Sequence, residues 1–280
     1  MREVHWEEIS TAVSELCKNI NYYINQDVLE AFKKGMGVEE SPLGKKVFCQ
    51  LIENAEAAAE EGIPLCQDTG LAVVFISLGQ EVVIKGKSLT DAVNIGVAKG
   101  YGEGYLRKSV VKDPLNRVNT GDNTPAIIHT EIVPGDKIKI TVSAKGGGSE
   151  NMSALSMLPP SAGSEGIIDF VVDTVKKAGP NPCPPLLIGV GVGGNFELAP
   201  LLAKRALLRP LSEKNKDEFW SKMEEAILQK INNLGIGPQG FGGRITALKV
   251  SIETFPCHIA SLPVAVNIDC HCHRHSTVEI

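Results

Sequence analysis

Hydrophobic spacing changes once along this chain, and that change fixes what it can fold into. Through the first sixty residues apolar side chains recur at helical intervals: Ile9, Val13, Leu16, Ile20 and Ile24, then Val28, Leu29 and Phe32, then Val47, Leu51, Ile52 and Ala55. Ser41-Pro42 adds a cap and first-turn signal for the third segment. From Leu71 the pattern turns strand-like. The spacing predicts strands over 71–78, 81–84, 126–132, 137–143, 186–192, 245–252 and 259–268, and helices over 89–105, 163–178, 195–208 and 213–234. Val133-Pro134-Gly135-Asp136 is a strong turn between two of the strands. No 20–50-residue period repeats and no low-complexity linker divides the chain. The expected fold is mixed α/β (α+β). A helical N-terminal region, residues 1–60, leads into a mixed α/β region, residues 61–280, that carries a cysteine-built site.

Charge and composition exclude several functions. The chain has 280 residues with a formal net charge of −5, so it lacks the basic footprint of a nucleic-acid binder. No stretch approaches the roughly 18 apolar residues of a membrane span. The start, Met1-Arg2-Glu3-Val4-His5-Trp6-Glu7-Glu8, has no apolar signal core. The cysteines number seven, an odd count that suits a reducing compartment better than a disulfide framework. A cytoplasmic location, with no nucleic-acid or membrane partner, is expected.

Cysteine context carries the chemistry. Cys17 and Cys49 fall among apolar helical neighbours and read as small buried hydrophobes. Cys66 sits in Pro64-Leu65-Cys66-Gln67-Asp68-Thr69-Gly70, a polar, turn-prone segment. Cys183 lies in Asn181-Pro182-Cys183-Pro184-Pro185, stiff and short of backbone N–H donors, which suits a rigidly aimed ligand. The tail holds Cys257-His258 and then Asn267-Ile268-Asp269-Cys270-His271-Cys272-His273-Arg274-His275. None of these forms a CxxC pair, so zinc-ribbon and thioredoxin readings lose their support. Thiolates scattered in sequence can still converge on one iron–sulfur cube, leaving one of its irons without a protein ligand. Adjacent residues of an extended chain point to opposite faces, so Cys270 and Cys272 would share a face with Arg274, and either cysteine could be the tail ligand.

Two glycine loops and several charges complete the candidates. Gly189-Val190-Gly191-Val192-Gly193-Gly194 matches GxGxxG, but the strand with a terminal acidic residue that a dinucleotide site needs does not follow. Lys145-Gly146-Gly147-Gly148-Ser149 could cradle an anion with successive N–H groups, and lacks the ending of a P-loop. Arg107 could clamp a carboxylate bidentately, with Lys145, Arg244 and Arg274 as further cations, although each alone reads as a solvated surface charge. His258 opens an apolar strand and by itself reads as a core histidine.

Taken together, the three cysteine contexts and Lys145–Asn151 resemble the α-type half of the iron–sulfur-dependent hydro-lyases, the class I fumarate hydratases and L(+)-tartrate dehydratases. The most specific pieces are Cys66-Gln67-Asp68-Thr69-Gly70 and Asn181-Pro182-Cys183-Pro184-Pro185, and the likeness runs from the helical start to Arg274. The resemblance implies a 4Fe-4S cluster on Cys66, Cys183 and, by the spacing to Arg274, Cys270 rather than Cys272. It implies catalytic roles for Gln67, Asp68, His258 and Arg107, and substrate contacts from Arg107, Lys145, Gly146 and Gly147. Single-chain members continue into a second domain that supplies a catalytic base. Here the sequence stops at Ile280, which implies a separate β subunit completing the site, in a dimer of αβ pairs. The implied reaction is reversible hydration of fumarate to (S)-malate on an air-sensitive cluster, with dehydration of L(+)-tartrate to oxaloacetate as the alternative. A non-catalytic metal-binding regulator built on the Cys-His tail is the alternative of a different class.

Overall fold

The computed structural model describes all residues, 1–280, and its fold is mixed α/β. In chain order the elements begin β1 (Arg2–His5), α1 (Trp6–Tyr22), α2 (Gln26–Val38), α3 (Pro42–Glu61), β2 (Leu71–Gly79), β3 (Val82–Lys85) and α4 (Leu89–Glu103). They continue β4 (Ile127–Val133), β5 (Ile138–Lys145), α5 (Gly147–Glu150), β6 (Ala154–Leu158), α6 (Gly163–Ala178) and β7 (Leu186–Gly193). The last are α7 (Leu198–Ala206), α8 (Glu218–Asn232), β8 (Ala247–Phe255), β9 (Leu262–Asp269) and β10 (His275–Glu279). No helix is long and apolar enough to cross a membrane. Two compact units share the chain. One is Met1–Asn25, Asn54–Gly147 and Arg274–Ile280; the other is Gln26–Glu53 and Gly148–His273.

The first unit has a four-stranded sheet in the order β10-β5-β2-β4 and a two-stranded parallel sheet, β1-β3. Strand β2 pairs antiparallel with β5 and parallel with β4. Its alternate residues Ala72, Val74 and Ile76 face a core shared with Ile9, Val13, Leu16, Cys17 and Ile20 of α1 and Ala92, Val93, Val97 and Tyr101 of α4. The helical spacing of the α1 set and the two-residue spacing of the β2 set are what bring both stripes to one interior, each large side chain contributing about 1.5–3 kcal/mol by leaving water.

The second unit has a four-stranded sheet in the order β6-β9-β7-β8. Strand β7 is buried along its whole length because helices cover both faces. Ile188, Val190 and Val192 join α6 and α8 residues such as Val171, Val175, Ile227 and Ile231 in one core. The alternate positions include Gly189 and Gly191, the first two glycines of the GxGxxG match, which lie inside the strand, while the third, Gly194, follows its end. A Cβ on Gly189 would sit 2.1 Å from the Ala203 carbonyl oxygen, and one on Gly191 2.0 Å from that of Ala199. Backbone contact with α7, not pyrophosphate binding, therefore requires these glycines.

Three strands escaped the sequence pattern: β1, β6 and β10. All are short, and β6 and β10 are the edges of their sheets, where pairing is one-sided and alternation weak. The tail differs most from expectation. Cys270 to His273 is a turn, closed by His273 N–H donating to the Cys270 carbonyl at 3.2 Å, so Cys270 and Cys272 do not share a strand face. His258 lies in the loop before β9 and does not open that strand.

A buried carboxylate organises one corner of the second unit. Glu39, 2 % exposed, accepts backbone N–H bonds from Glu40, Ser41, Arg244 and Ile245. Burial alone would raise its pKa, but the N–H bonds of Arg244, Ser41, Ile245 and Glu40 outweigh it and hold the carboxyl below its usual value. A group whose pKa is depressed by folding adds stability above its unfolded pKa and loses it as pH falls through the folded one. Glu39→Ala is expected to cost about 2 kcal/mol or more in urea unfolding at neutral pH, because four part-buried donors lose their acceptor. The advantage of the native protein over Glu39→Gln should shrink below about pH 4; equal advantage at pH 3 and pH 7 would rule out a role for the ionised carboxylate.

Candidate active site

Cys66 belongs to a loop in the first unit that side chains from several elements fasten down. Leu65 N–H donates to the Asn21 carbonyl at 2.8 Å, and Asn54 Nδ2 donates to the Leu65 carbonyl at 3.0 Å. Tyr101 Oη donates to the carbonyls of Thr69 (2.8 Å) and Gly70 (3.1 Å), and Asn123 Nδ2 donates to that of Gly70 (3.1 Å). Burial drives the Tyr101 phenol far above its usual pKa, so it stays a neutral donor. Arg274, 3 % exposed, donates through Nη1 to the Asp68 carbonyl at 2.7 Å and to Asn21 Oδ1 at 3.0 Å. Gly70 has φ +77, and a Cβ there would meet the backbone of Ala144 and Lys145, so only glycine fits where the loop enters β2.

The loop brings the sequence candidates of this unit together. Asp68 Oδ1 accepts from Gly70 N–H at 3.0 Å and Oδ2 from Gly147 N–H at 2.8 Å, which joins the cysteine loop to the glycine loop. Lys145 is the last residue of β5, pairs in register with Leu71 and is buried. The Arg107 side chain is exposed, while its carbonyl accepts from Thr69 Oγ1 at 3.1 Å. Gln67 is exposed, and its Oε1 lies 3.4 Å from Cys66 Sγ.

Cys183 and Cys270 come together in the second unit. Cys183 is exposed and has φ +58, a left-handed conformation uncommon outside glycine. Its carbonyl accepts from the backbone N–H of His271 at 3.3 Å and lies 3.1 Å from His271 Nδ1, so the proline loop rests against the residue that follows Cys270. Ligand atoms of Cys270, His271 and Cys272 lie within 4.8 Å of one another. Cys270 is partly exposed and Cys272 is buried. His258 is exposed, and its Nδ1 accepts from Ala260 N–H at 3.1 Å, which places the ring proton on Nε2 in the neutral form.

Accessible thiols are the donors that an iron–sulfur group takes. The thiols of Cys66, Cys183 and Cys270 are all at least partly exposed, and two of them occupy touching loops of one unit. Cys17 is the contrast: burial pushes its thiol up to about 12, so it is no thiolate donor at neutral pH. The structure adds residues that spacing did not single out, namely Asn21, Tyr101 and Asn123. Their only sequence signal was a polar group at an otherwise apolar or turn position. It also shows a buried pair, Asp269 with His273 (Oδ2 to Nδ1, 2.9 Å), within the tail turn.

Residues 10–279 match the family model described as "Fumarate hydratase (Fumerase)". A protein of Methanocaldococcus jannaschii, provisionally named L(+)-tartrate dehydratase subunit alpha, is 42% identical over 282 residues, covering 98% of this chain and 98% of the relative. The L(+)-tartrate dehydratase subunit alpha of Escherichia coli strain UTI89 is 31% identical over 288 residues, covering 100% of this chain and 94% of its own. That of Escherichia coli strain K12 is 30% identical over 286 residues, with 99% and 94% covered.

The Arg274 network yields a stability expectation. Arg274→Met strips the Asn21 amide oxygen and the Asp68 carbonyl of a buried donor, at about 1–3 kcal/mol for each. Chemical denaturation of the metal-free chain should show a loss of about 2–5 kcal/mol, and an unchanged unfolding midpoint would show that the guanidinium does not hold the loop.

Proposed function

The chain belongs to the fumarate hydratase (fumerase) family and is a hydro-lyase, and we propose that it is the α subunit of an enzyme that dehydrates L(+)-tartrate to oxaloacetate. The names of relatives that align over nearly their whole length carry this choice of substrate. Hydration of fumarate to (S)-malate is the second reading, favoured by the family description. Both reactions move water across the central carbon–carbon bond of a four-carbon dicarboxylate. A shared set of carboxylate-binding groups therefore serves either, and the substrate hydroxyl pattern distinguishes them.

In this reading Cys66, Cys183 and Cys270 hold a 4Fe-4S cluster. When bound, such a cluster supplies an iron lacking a protein ligand, a Lewis acid for a substrate oxygen. The greater exposure of Cys270 than of Cys272 supports it as the tail ligand. Arg107, whose guanidinium is exposed, takes a substrate carboxylate bidentately. Lys145 contributes positive charge at the end of β5, beside Gly146. Gly147 acts indirectly: its N–H is spent on Asp68, so it seats that carboxylate instead of the substrate. Asp68 keeps acceptor capacity on both oxygens after its two backbone bonds and accepts a hydrogen bond from the substrate hydroxyl that is retained. The Gln67 amide orients that hydroxyl, and His258 offers the Nε2 proton to the departing oxygen.

The carbon-bound proton goes to a base on a separate β subunit, the partner that the relatives' designation "subunit alpha" suggests. Loss of that proton and of the neighbouring hydroxyl gives the enol of oxaloacetate, which tautomerises to the ketone. A dimer of αβ pairs is the proposed assembly.

The test is turnover by the chain produced with a β-type subunit of this family and reconstituted anaerobically. Expected are about four irons per chain, activity lost in air, and a kcat/KM for L(+)-tartrate at least about 10-fold above that for fumarate. The reverse preference selects the second reading, and one zinc per chain without turnover selects a metal-binding regulator. Cys66→Ser, Cys183→Ser and Cys270→Ser should each lose cluster absorbance, whereas Cys272→Ser should keep it. Equal cluster content in Cys270→Ser and Cys272→Ser would sink the assignment of the tail ligand.

A further inference from the structure

The segment Pro182-Cys183-Pro184-Pro185 cannot knit itself together. Three of its four residues are prolines without an N–H, and its one amide proton, on Cys183, goes to the Pro180 carbonyl at 3.0 Å. The carbonyls of Cys183 and Pro184 must therefore find donors elsewhere in the second unit. Two residues supply them. His271 serves the Cys183 carbonyl through its backbone N–H at 3.3 Å. Gln239 serves the Pro184 carbonyl twice, through its backbone N–H at 2.8 Å and its side-chain Nε2 at 2.6 Å.

Gln239 also reaches His271. Its Nε2 lies 3.2 Å from His271 Nδ1, and Nδ1 lies 3.1 Å from the Cys183 carbonyl. With a proton on Nδ1 the ring donates to Cys183; without one it accepts from Gln239. Either tautomer ties the ring to this cluster of groups. Gln239 is itself held in place. It adopts a left-handed backbone (φ +51) inside a loop closed by Gly237 N–H to Thr246 Oγ1 at 3.1 Å and Gly242 N–H to the Ile236 carbonyl at 2.9 Å. The buried Glu39 carboxylate anchors the far side of that loop at Arg244 and Ile245. A strained, over-determined glutamine aimed at a cysteine loop is a feature that packing alone does not require.

We propose that Gln239 is a positioning residue for the cluster, aiming the Cys183 thiolate by holding the Pro184 carbonyl and bracing His271 beside Cys270. The proposal rests on the assignment of Cys183 and Cys270 as cluster ligands. Outer partners that orient ligands are worth 10–100-fold in metal affinity, and hydrogen bonding around ligand sulfurs tunes an iron–sulfur cluster.

Gln239→Leu keeps the bulk and removes the amide, and the full chain is reconstituted anaerobically with ferrous iron and sulfide. The variant is expected to take up a cluster but to lose its visible absorbance in air about 10-fold faster than the native chain. The electron paramagnetic resonance signal of the reduced cluster should shift, while the unfolding midpoint of the metal-free chain should fall only slightly, because the Pro184 carbonyl keeps the Gln239 backbone N–H. A native bleaching rate with a native signal overturns the proposal. Gln239→Ala, with the same readings, replaces the leucine variant if that one does not fold. Failure of the native chain itself to take up iron and sulfide is a different result: it overturns the cluster assignment beneath.

Discussion

One buried guanidinium holds the Cys66 loop of the first unit in place. Arg274 sits inside the protein, where a cation is tolerated only if its donors are met, and it spends Nη1 on the Asn21 amide oxygen and the Asp68 carbonyl. Asn21 in turn fixes the start of the same loop, because its carbonyl accepts from Leu65 N–H. The Cys66 loop is thus clamped on both sides of the cysteine by one polar network.

A common design appears at both cysteine loops. Neither is held by regular secondary structure, and each borrows its hydrogen-bond partners from distant side chains. For Cys66 these are Asn54, Tyr101, Asn123 and Arg274; for Cys183 they are Gln239 and His271. Short-range flexibility is removed without covering the thiols. The result is an accessible side chain on a pre-organised backbone. The cost is a set of buried polar groups that are stabilising only when all are matched.

Much of the scaffold was legible in sequence because period and burial coincide. Helix α6 falls on the expected 163–178 span, and β2, β5 and β7 lie within a residue or two of theirs. The pattern failed where one residue type serves two purposes. Gly189 and Gly191 read as a phosphate-binding motif because glycine marks close backbone approach, and spacing does not say whether ligand or helix approaches. The polar edge strand β10 carries little apolar alternation, so nothing in His275–Glu279 announced pairing with β5. Among the candidate residues, Cys66, Asp68 and Cys183 stood out in sequence by their neighbours. Asn21 and Gln239 were not, since a lone amide in a helix or a glycine-rich loop has no distinctive spacing.

The α/β class and the hydro-lyase family were written into adjacent residues, because periodicity and short motifs are local properties. Folding had to settle that the tail is a turn separating Cys270 from a buried Cys272, and that Asp68 is engaged by Gly147. It alone placed Gln239 and His271 on the proline loop. Each of these joins residues far apart in the chain through hydrogen bonds whose partners are selected by burial. Which donor meets which carbonyl is settled only when water is excluded and every polar group must find its match.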